Sequence, residues 1–334
     1  MSRLTVEQLR DGEGFDEVYL AAEKQLRTNK NGTPYLQVEL RDRTGSIVAR
    51  MWNASDQLFR SFASGDFVQC EGKVQLFNGT LQVILDRIER ADANKIDTRE
   101  FLPRSEQDVP KLYEKLKGYL FKMASPHLRA LAECYLMDDA FVRAFCSAPA
   151  GMKLHHAYLG GLLEHTAAMM DMAERVLPYY PGTDRDLVLM GLFLHDSGKV
   201  RELAYASAFG YTDEGQLLGH IPIGIEMLND KAAQVPELLG EPVPRELMVR
   251  LKHIVLSHHG ELEQGSPKVP MTPEAMLVHC IDTMDSRMNM VLRDLKDDRN
   301  NPTAWTQFNT NMKRRWYKGG ANGDLFAAGA ENYD

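Results

Sequence analysis

Residues 187–199 read Leu-Val-Leu-Met-Gly-Leu-Phe-Leu-His-Asp-Ser-Gly-Lys. The apolar run Leu187–Leu194 predicts a buried segment, and it stops at His195-Asp196, with a helix break at Ser197-Gly198-Lys199. A carboxylate that ends a buried segment needs a cation or several donors. Adjacent imidazole and carboxylate groups are metal ligands more often than packing residues, and a carboxylate has two oxygens with which to bridge two ions. Two bridged ions suit phosphodiester hydrolysis, because one activates water while both hold the phosphate.

Further ligand types stand on either side of this dyad. His165 lies in GGLLEHTAAMM, whose neighbours Leu162, Leu163, Met169 and Met172 predict a largely buried helix with the imidazole turned inward. His220 lies in LLGHIPIG, with Pro222 marking the first turn of a new helix. His258 and His259 fall in LKHIVLSHHG, at a helix end signalled by Gly260. Adjacent helix positions are about 100° apart, so one of this pair can bind metal while the other faces substrate. Asp282 falls in LVHCIDTMD, again inside an apolar helix; its plain alternative is a helix carboxylate paired with Arg287 or Lys252. Singly, each residue has such an alternative; together they predict a metal site inside a helical bundle.

The N-terminal part has another periodicity. FDEVYLAAEKQLRT, YLQVELRD and SIVARMW read as strands, SDQLFRSFA as a short helix, and FVQCEGKVQLF and TLQVILDRI as two more strands. Turns are marked at Asn29-Lys30-Asn31-Gly32 and Arg43-Thr44-Gly45, and Asn78-Gly79 is a hairpin cue. Three strands, a helix and two strands is the order of an OB-fold barrel. Alternation puts Leu36, Val38, Leu40, Val68, Cys70, Val74 and Leu76 on one set of faces. The opposite set collects Tyr35, Arg50, Trp52, Lys73 and Phe77, a surface on which bases can stack while cations meet phosphate. The alternative is that Trp52 and Phe77 close the barrel ends or pack on the second domain.

The expected organisation is therefore multidomain: an all-β OB-fold barrel at 1–92, a polar linker at 93–110, an all-α bundle at 111–312 and a basic, then flexible, tail at 313–334. Helices are expected over 112–123, 127–146, 158–176, 187–195, 223–229, 246–257 and 273–295. The net charge of −8 argues against coating duplex DNA by bulk charge but leaves room for a local basic groove. KRRWYK at 313–318 is such a patch, to be read as a strand contact or as a solvated face. No run approaches the ~20 apolar residues of a membrane span, and no secretory h-region is seen. Cys70, Cys134, Cys146 and Cys280 are scattered without a CxxC, and read as reduced thiols of a cytoplasmic protein.

The order His165, His195-Asp196, Asp282 resembles the HD-domain phosphohydrolase superfamily, and His220 with His258-His259 resembles its two-metal members. The runs KLHHAYLGGLLEHT, FLHDSGK, GQLLGHIPIG, LSHHGELEQGSP and EAMLVHCIDTMDSRM, together with the barrel half, are similar to the YhaM-type 3′→5′ exoribonucleases. The likeness spans about Phe15 to Met290; Ser197 stands where the usual member has isoleucine or leucine. It implies release of nucleoside 5′-monophosphates from single-stranded RNA, with ssDNA as a further substrate. It also implies two divalent ions, Mn²⁺ first, with Fe²⁺, Zn²⁺ or Mg²⁺ as alternatives. Mixed imidazole and carboxylate ligands suit Mn²⁺, Fe²⁺ or Zn²⁺ better than Mg²⁺.

On this reading one ion is held by His165, His195, Asp196 and Asp282. The other is held by His220, His258 and His259, with Asp196 bridging. Lys199 is expected to neutralise a phosphate oxygen, or else to cap the helix end or pair with Glu202. His155-His156 is either a pocket rim or a surface pair. Ser266, in the loop from Gly260 to Pro270, either closes over the terminal nucleotide or belongs to an ordinary connection. Two other function classes stay open: an HD hydrolase acting on a nucleotide or cyclic dinucleotide, and a non-catalytic single-strand-binding protein.

Overall fold

The computed structural model describes residues 3–29, 32–77, 79–92, 96–97, 100–152, 156–205, 209–298, 303–310 and 312–319. β1 (Gly14–Thr28), β2 (Pro34–Asp42) and β3 (Gly45–Trp52) form an antiparallel meander, followed by α1 (Asp56–Arg60) and the pair β4 (Phe67–Phe77) and β5 (Thr80–Arg90). The five strands close into a barrel in the order β1-β2-β3-β5-β4, with β3 and β5 parallel and β4 returning antiparallel to β1. This is the architecture that the strand, turn and helix order predicts.

Alternation decides which side chains fill the barrel. Leu36, Val38 and Leu40 of β2, Ala49 of β3, Val68, Cys70 and Val74 of β4 and Val83 of β5 are buried together. Leu76, assigned to the inner set, is 52% exposed, because β4 runs past the barrel end there. Gly79, with φ +80°, supplies the left-handed residue that the tight β4–β5 turn demands. Asn78, and Lys30 and Asn31 of the first turn, lie outside the described residues.

The helical part holds α2 (Val109–Phe121), α3 (Pro126–Leu136), α4 (Asp139–Ser147), α5 (Gly161–Val176), α6 (Arg185–Leu194) and α7 (Lys199–Glu202). After these come α8 (Asp213–Leu218), α9 (His220–Ala232), α10 (Val235–Leu239), α11 (Arg245–Ser257) and α12 (Pro273–Asp297). Side chains of Asp108, Ser125, Asp138, Asp184 and Thr212 accept hydrogen bonds from first-turn amides of α2, α3, α4, α6 and α8. Each such cap is worth about 1 kcal/mol. The helical stretch expected over 127–146 is two helices, because Asp138 caps α4 where the apolar rhythm runs on unbroken. No helix among the described residues is long and apolar enough to cross a membrane.

One core joins these helices. Leu162, Leu163, Met169 and Met170 of α5, all of Leu187–Met190 and Leu192–Leu194 of α6, Leu251, Ile254 and Val255 of α11, and Ala275, Val278 and Ile281 of α12 are buried in it. Full burial of each large side chain contributes about 1.5–3 kcal/mol. A Cβ on Gly191 would stand 2.8 Å from Ile254 Cγ2, so the glycine lets α6 and α11 lie close. That approach carries the ends of the two helices, His195 and His258, to the same place, with ring centroids 5.1 Å apart.

The chain divides into two compact units, 1–103 with 288–334, and Arg104–Arg287. The helical unit so defined ends at Arg287, whereas the sequence reading extends its bundle to 312; α12 runs through both units. In the first unit the segment after α12 folds back on itself: Trp305 pairs with Tyr317 and Asn309 with Arg314. The Trp316 indole donates to Asp294, and Lys318 pairs with Asp298. Trp316 and Lys318 of the basic patch are thus anchors, while Lys313, Arg314 and Arg315 are exposed. The expected flexible stretch from 320 lies outside the described residues.

Candidate metal centre

The centre begins where α6 ends. His195 is the last, capping residue of α6, and Asp196-Ser197-Gly198 turn the chain into α7. A Cβ on Gly198 would lie 2.0 Å from the His220 carbonyl oxygen. Only glycine fits, and this contact sets the first residue of α9 against the dyad. His165 comes from mid-α5, His258 from the end of α11 and Asp282 from α12. Side chains from residues 165 to 282 thereby meet around Asp196.

The two oxygens of Asp196 face different neighbours. Oδ2 lies 3.3 Å from His195 Nε2 and 3.8 Å from His165 Nε2. Oδ1 lies 3.5 Å from His220 Nε2 and 3.7 Å from His258 Nε2. Asp282 joins the first group, with Oδ1 3.3 Å from His165 Nε2, and so is paired with neither Arg287 nor Lys252. His259 joins the second, its ring 5.2 Å from that of His220. Ligand atoms of His165, His195 and Asp282 fall within 4.8 Å of one another, as do those of His220, His258 and His259.

The outer nitrogens explain why the inner ones point inward. Nδ1 of His195, His258 and His259 meets the carbonyl oxygens of Leu192, Val255 and Gln264 at 2.8, 2.8 and 3.1 Å. A carbonyl only accepts, so each Nδ1 donates there and each Nε2 is the ring atom turned to the centre. His220 Nδ1 is 3.2 Å from Glu202 Oε1, which also accepts from the His220 amide. His165 Nδ1 is 2.7 Å from Asp285 Oδ2. Such outer partners fix the tautomer and orientation of metal-binding imidazoles.

A cation fits this donor set and packing does not explain it. Asp196 Oδ1 and Nε2 of His195, His220 and His258 are buried without a hydrogen-bond partner. Each unsatisfied buried polar atom costs about 1–3 kcal/mol. Four of them rival the ~5–15 kcal/mol that holds a whole domain together. Burial, with His195 close by, keeps His258 neutral well below the ordinary histidine range, and burial beside His220 lowers His259. Burial also presses on the Asp196 carboxyl, but Lys199, His195 and His220 hold it charged, far below its usual range. Against the pull of burial, hydrogen bonds to Asp282 and Asp285 raise His165 to about 9. Without a metal its ring supplies the positive charge that the carboxylates need.

An open pocket of about 200 Å³ reaches the centre, lined by Asp196, Lys199, His259, Gln264, Asp282, Thr283, Ser286 and Arg287. Lys199 is buried and its Nζ donates to Asp196 Oδ2 and to the Ala150 carbonyl, each at 2.6 Å. Glu202 is engaged with His220 instead. His156 and Ser266, expected at the rim, are both buried and absent from the pocket lining. His156 Nε2 lies 2.9 Å from Asp285 Oδ2, behind His165, and its Nδ1 is 2.7 Å from the Tyr158 hydroxyl. The Ser266 hydroxyl is used on the carbonyls of Lys268 and Leu256, which shapes its loop. His155 lies outside the described residues. The sequence reading missed Asp285, Glu202 and the α12 positions Thr283, Ser286 and Arg287; the spacing of the last three from Asp282 was the available signal.

On the barrel, Tyr35, Arg50, Trp52, Lys73 and Phe77 lie on the outward side of β2, β3 and β4. Tyr35 pairs with Trp52 across β2–β3, their rings 5.1 Å apart, and Trp52 and Phe77 are each about half exposed. Arg50 and Lys73 flank Ile84 from β3 and β4, and Arg50 donates to Gln82. On these outward sides Trp52, Lys73 and Phe77 are exposed, while Tyr35 and Arg50 are half-buried.

Residues 8–91 match the family described as an OB-fold nucleic acid binding domain, and residues 162–287 match the HD domain family. Among solved structures, the second OB-fold domain of replication protein A from Methanococcus maripaludis is 24% identical with a TM-score of 0.21, over 28% of this chain and 96% of that one. Aspartyl tRNA synthetase from Entamoeba histolytica is 8% identical with a TM-score of 0.20, over 50% of this chain and 35% of that one. At such TM-scores neither likeness bears on function. The family matches agree with the geometry: an OB-fold barrel joined to a helical domain that matches the HD family.

Proposed function

We propose that this chain, an OB-fold barrel joined to an HD domain, is a metal-dependent 3′→5′ exoribonuclease that releases nucleoside 5′-monophosphates from single-stranded RNA. The observation that carries the hydrolytic part is Asp196, one carboxylate with an oxygen turned to each of two imidazole clusters. His165, His195, Asp196 and Asp282 would hold one divalent ion, and His220, His258 and His259 the other, with Asp196 common to both. When bound, the ions supply Lewis acidity to the phosphate and lower the pKa of water. Mn²⁺ is the metal that the motif resemblance favours.

The side chains do the rest of the work proposed here. Asp285 and Glu202 keep the Nε2 atoms of His165 and His220 aimed inward. Lys199 keeps Asp196 charged and fixed, and its own charge at the pocket floor offsets charge that builds on phosphate oxygens during displacement. Trp52, Tyr35 and Phe77 offer faces for bases, at about 1–3 kcal/mol each, while Arg50 and Lys73 meet the backbone. Tethering such a surface to the hydrolase raises the local concentration of strand. The polarity, and RNA over DNA, come from the resemblance of the motifs to YhaM-type exoribonucleases.

The test is incubation of 5′-labelled single-stranded RNA with metal-stripped protein, then with Mn²⁺ restored. The reading expects a ladder shortening from the 3′ end and 5′-mononucleotide products, both dependent on metal. Intact RNA beside hydrolysis of free nucleotides would overturn it.

A further inference from the structure

The pocket has one cation that the metal centre does not use. Thr283, Ser286 and Arg287 stand one, four and five residues beyond Asp282, a spacing that puts all four on one face of α12. Arg287 is exposed at the pocket and has no hydrogen bond or ion pair among the described residues. Arg185, Arg201 and Arg250 of this unit pair with Glu174, Glu214 and Glu274, while Arg287 shares its unpaired state among the described residues with surface arginines such as Arg175 and Arg245 and is set apart by its place in the pocket. Lys199, the second cation of the lining, belongs to the metal centre, where it donates to Asp196 and to the Ala150 carbonyl. Pocket residues Gln264, Thr283 and Ser286 are neutral hydrogen-bonding groups, so the anion-binding capacity outside the metal centre resides in Arg287.

Position says which anion. Five residues of helix separate Arg287 from Asp282 by about 7.5 Å along the axis. That offset corresponds to about one extended nucleotide, and both residues line the same pocket. A guanidinium fork grips phosphate through two parallel hydrogen bonds, which a lysine at the same place does not reproduce. We infer that Arg287 binds the backbone phosphate next to the one at the metal centre, with Ser286 and Thr283 against the intervening sugar. The pocket is thereby selective for a strand over an isolated phosphodiester. This rests on the exonuclease reading above and adds the residue that recognises the strand.

The experiment compares two substrates on the full-length, Mn²⁺-loaded protein: a single-stranded hexanucleotide, and bis(4-nitrophenyl) phosphate, which has one diester and no neighbouring phosphate. Arg287→Ala is expected to lose at least tenfold more kcat/KM on the hexanucleotide than on the single diester, through KM. Arg287→Lys recovers only part of that difference. The melting temperature and metal content of each variant establish that it is folded and loaded. Equal losses on the two substrates, or loss on neither, in a protein whose wild type cleaves both, overturn this inference and leave the exonuclease reading standing. A wild type that cleaves the single diester and no oligonucleotide overturns both.

Discussion

The metal centre and the outer face of the barrel are both assembled from residues far apart in sequence, yet they are held by opposite means. At the centre every imidazole has its far nitrogen committed: His195, His258 and His259 to carbonyls, His220 to Glu202 and His165 to Asp285. The groups are aimed inward, and Asp196 Oδ1 with Nε2 of His195, His220 and His258 is buried without a hydrogen-bond partner, a lack that a cation would supply. On the barrel face Trp52 and Phe77 are half exposed, and the pattern comes from nothing more than alternation along strands. The first arrangement suits chemistry, which demands fixed distances. The second suits a strand of varying bases, which demands stacking area and charge without a fixed register.

If this contrast is right, substitutions at the centre act sharply and those on the face act in small, additive steps. The largest effect is expected for Asp196→Asn, which leaves one neutral oxygen and an amide where two clusters share a charge. Turnover of labelled RNA should fall by about a thousandfold or more, the order seen when a dominant electrostatic group is removed, and RNA affinity should stay near that of the wild type. Activity surviving in that variant would separate the centre from the reaction. Next come Asp285→Ala and Glu202→Ala, which remove the outer partners of His165 and His220. A metal affinity weaker by ~10–100-fold is expected, with turnover recovered by added Mn²⁺. Isothermal titration of stripped protein reads the affinity, and no recovery by metal would make these residues merely structural.

A smaller change is expected on the barrel. Trp52→Ala or Phe77→Ala should each raise KM for a long single strand by about tenfold, from ~1–3 kcal/mol of stacking, and should barely alter a dinucleotide. Equal effects on both substrates would move the binding surface elsewhere. The smallest effect concerns pH. In metal-stripped protein buried His258 refuses a proton that the unfolded chain takes up near pH 6.5. Its folded pKa is depressed, so stability declines as pH falls below that value. His165 has the opposite sign: raised to about 9, its contribution is complete below about pH 6.5 and is lost as pH rises through 9. Thermal melts from about pH 5 to 9.5 should therefore peak near 6.5, and His258→Asn should flatten the acid side.

Much of this was legible in the chain because period and face are local properties. Strict alternation over 35–42 and 46–52 gives the barrel strands and the shared side of Tyr35, Arg50 and Trp52. An apolar run that stops at His195-Asp196 gives a buried dyad. What periodicity lacks is the partner across space. Asp285 looks like any helix carboxylate until α5 is laid beside α12, and His156 looks like a rim residue until Asp285 is behind His165. Lys199 is as easily assigned to Glu202, three residues on, as to Asp196, three residues back; the structure pairs it with Asp196 because Glu202 is occupied by His220. Ser266 sits in a glycine- and proline-marked loop whose internal hydrogen bonds have no sequence signature.

The most direct test of the central claim is electron paramagnetic resonance of the protein after titration with Mn²⁺. Two equivalents should bind, and the spectrum should be that of an exchange-coupled pair, with the coupling lost in Asp196→Asn. A single bound ion, or two that give uncoupled six-line signals in the wild type, would contradict a carboxylate shared between the clusters.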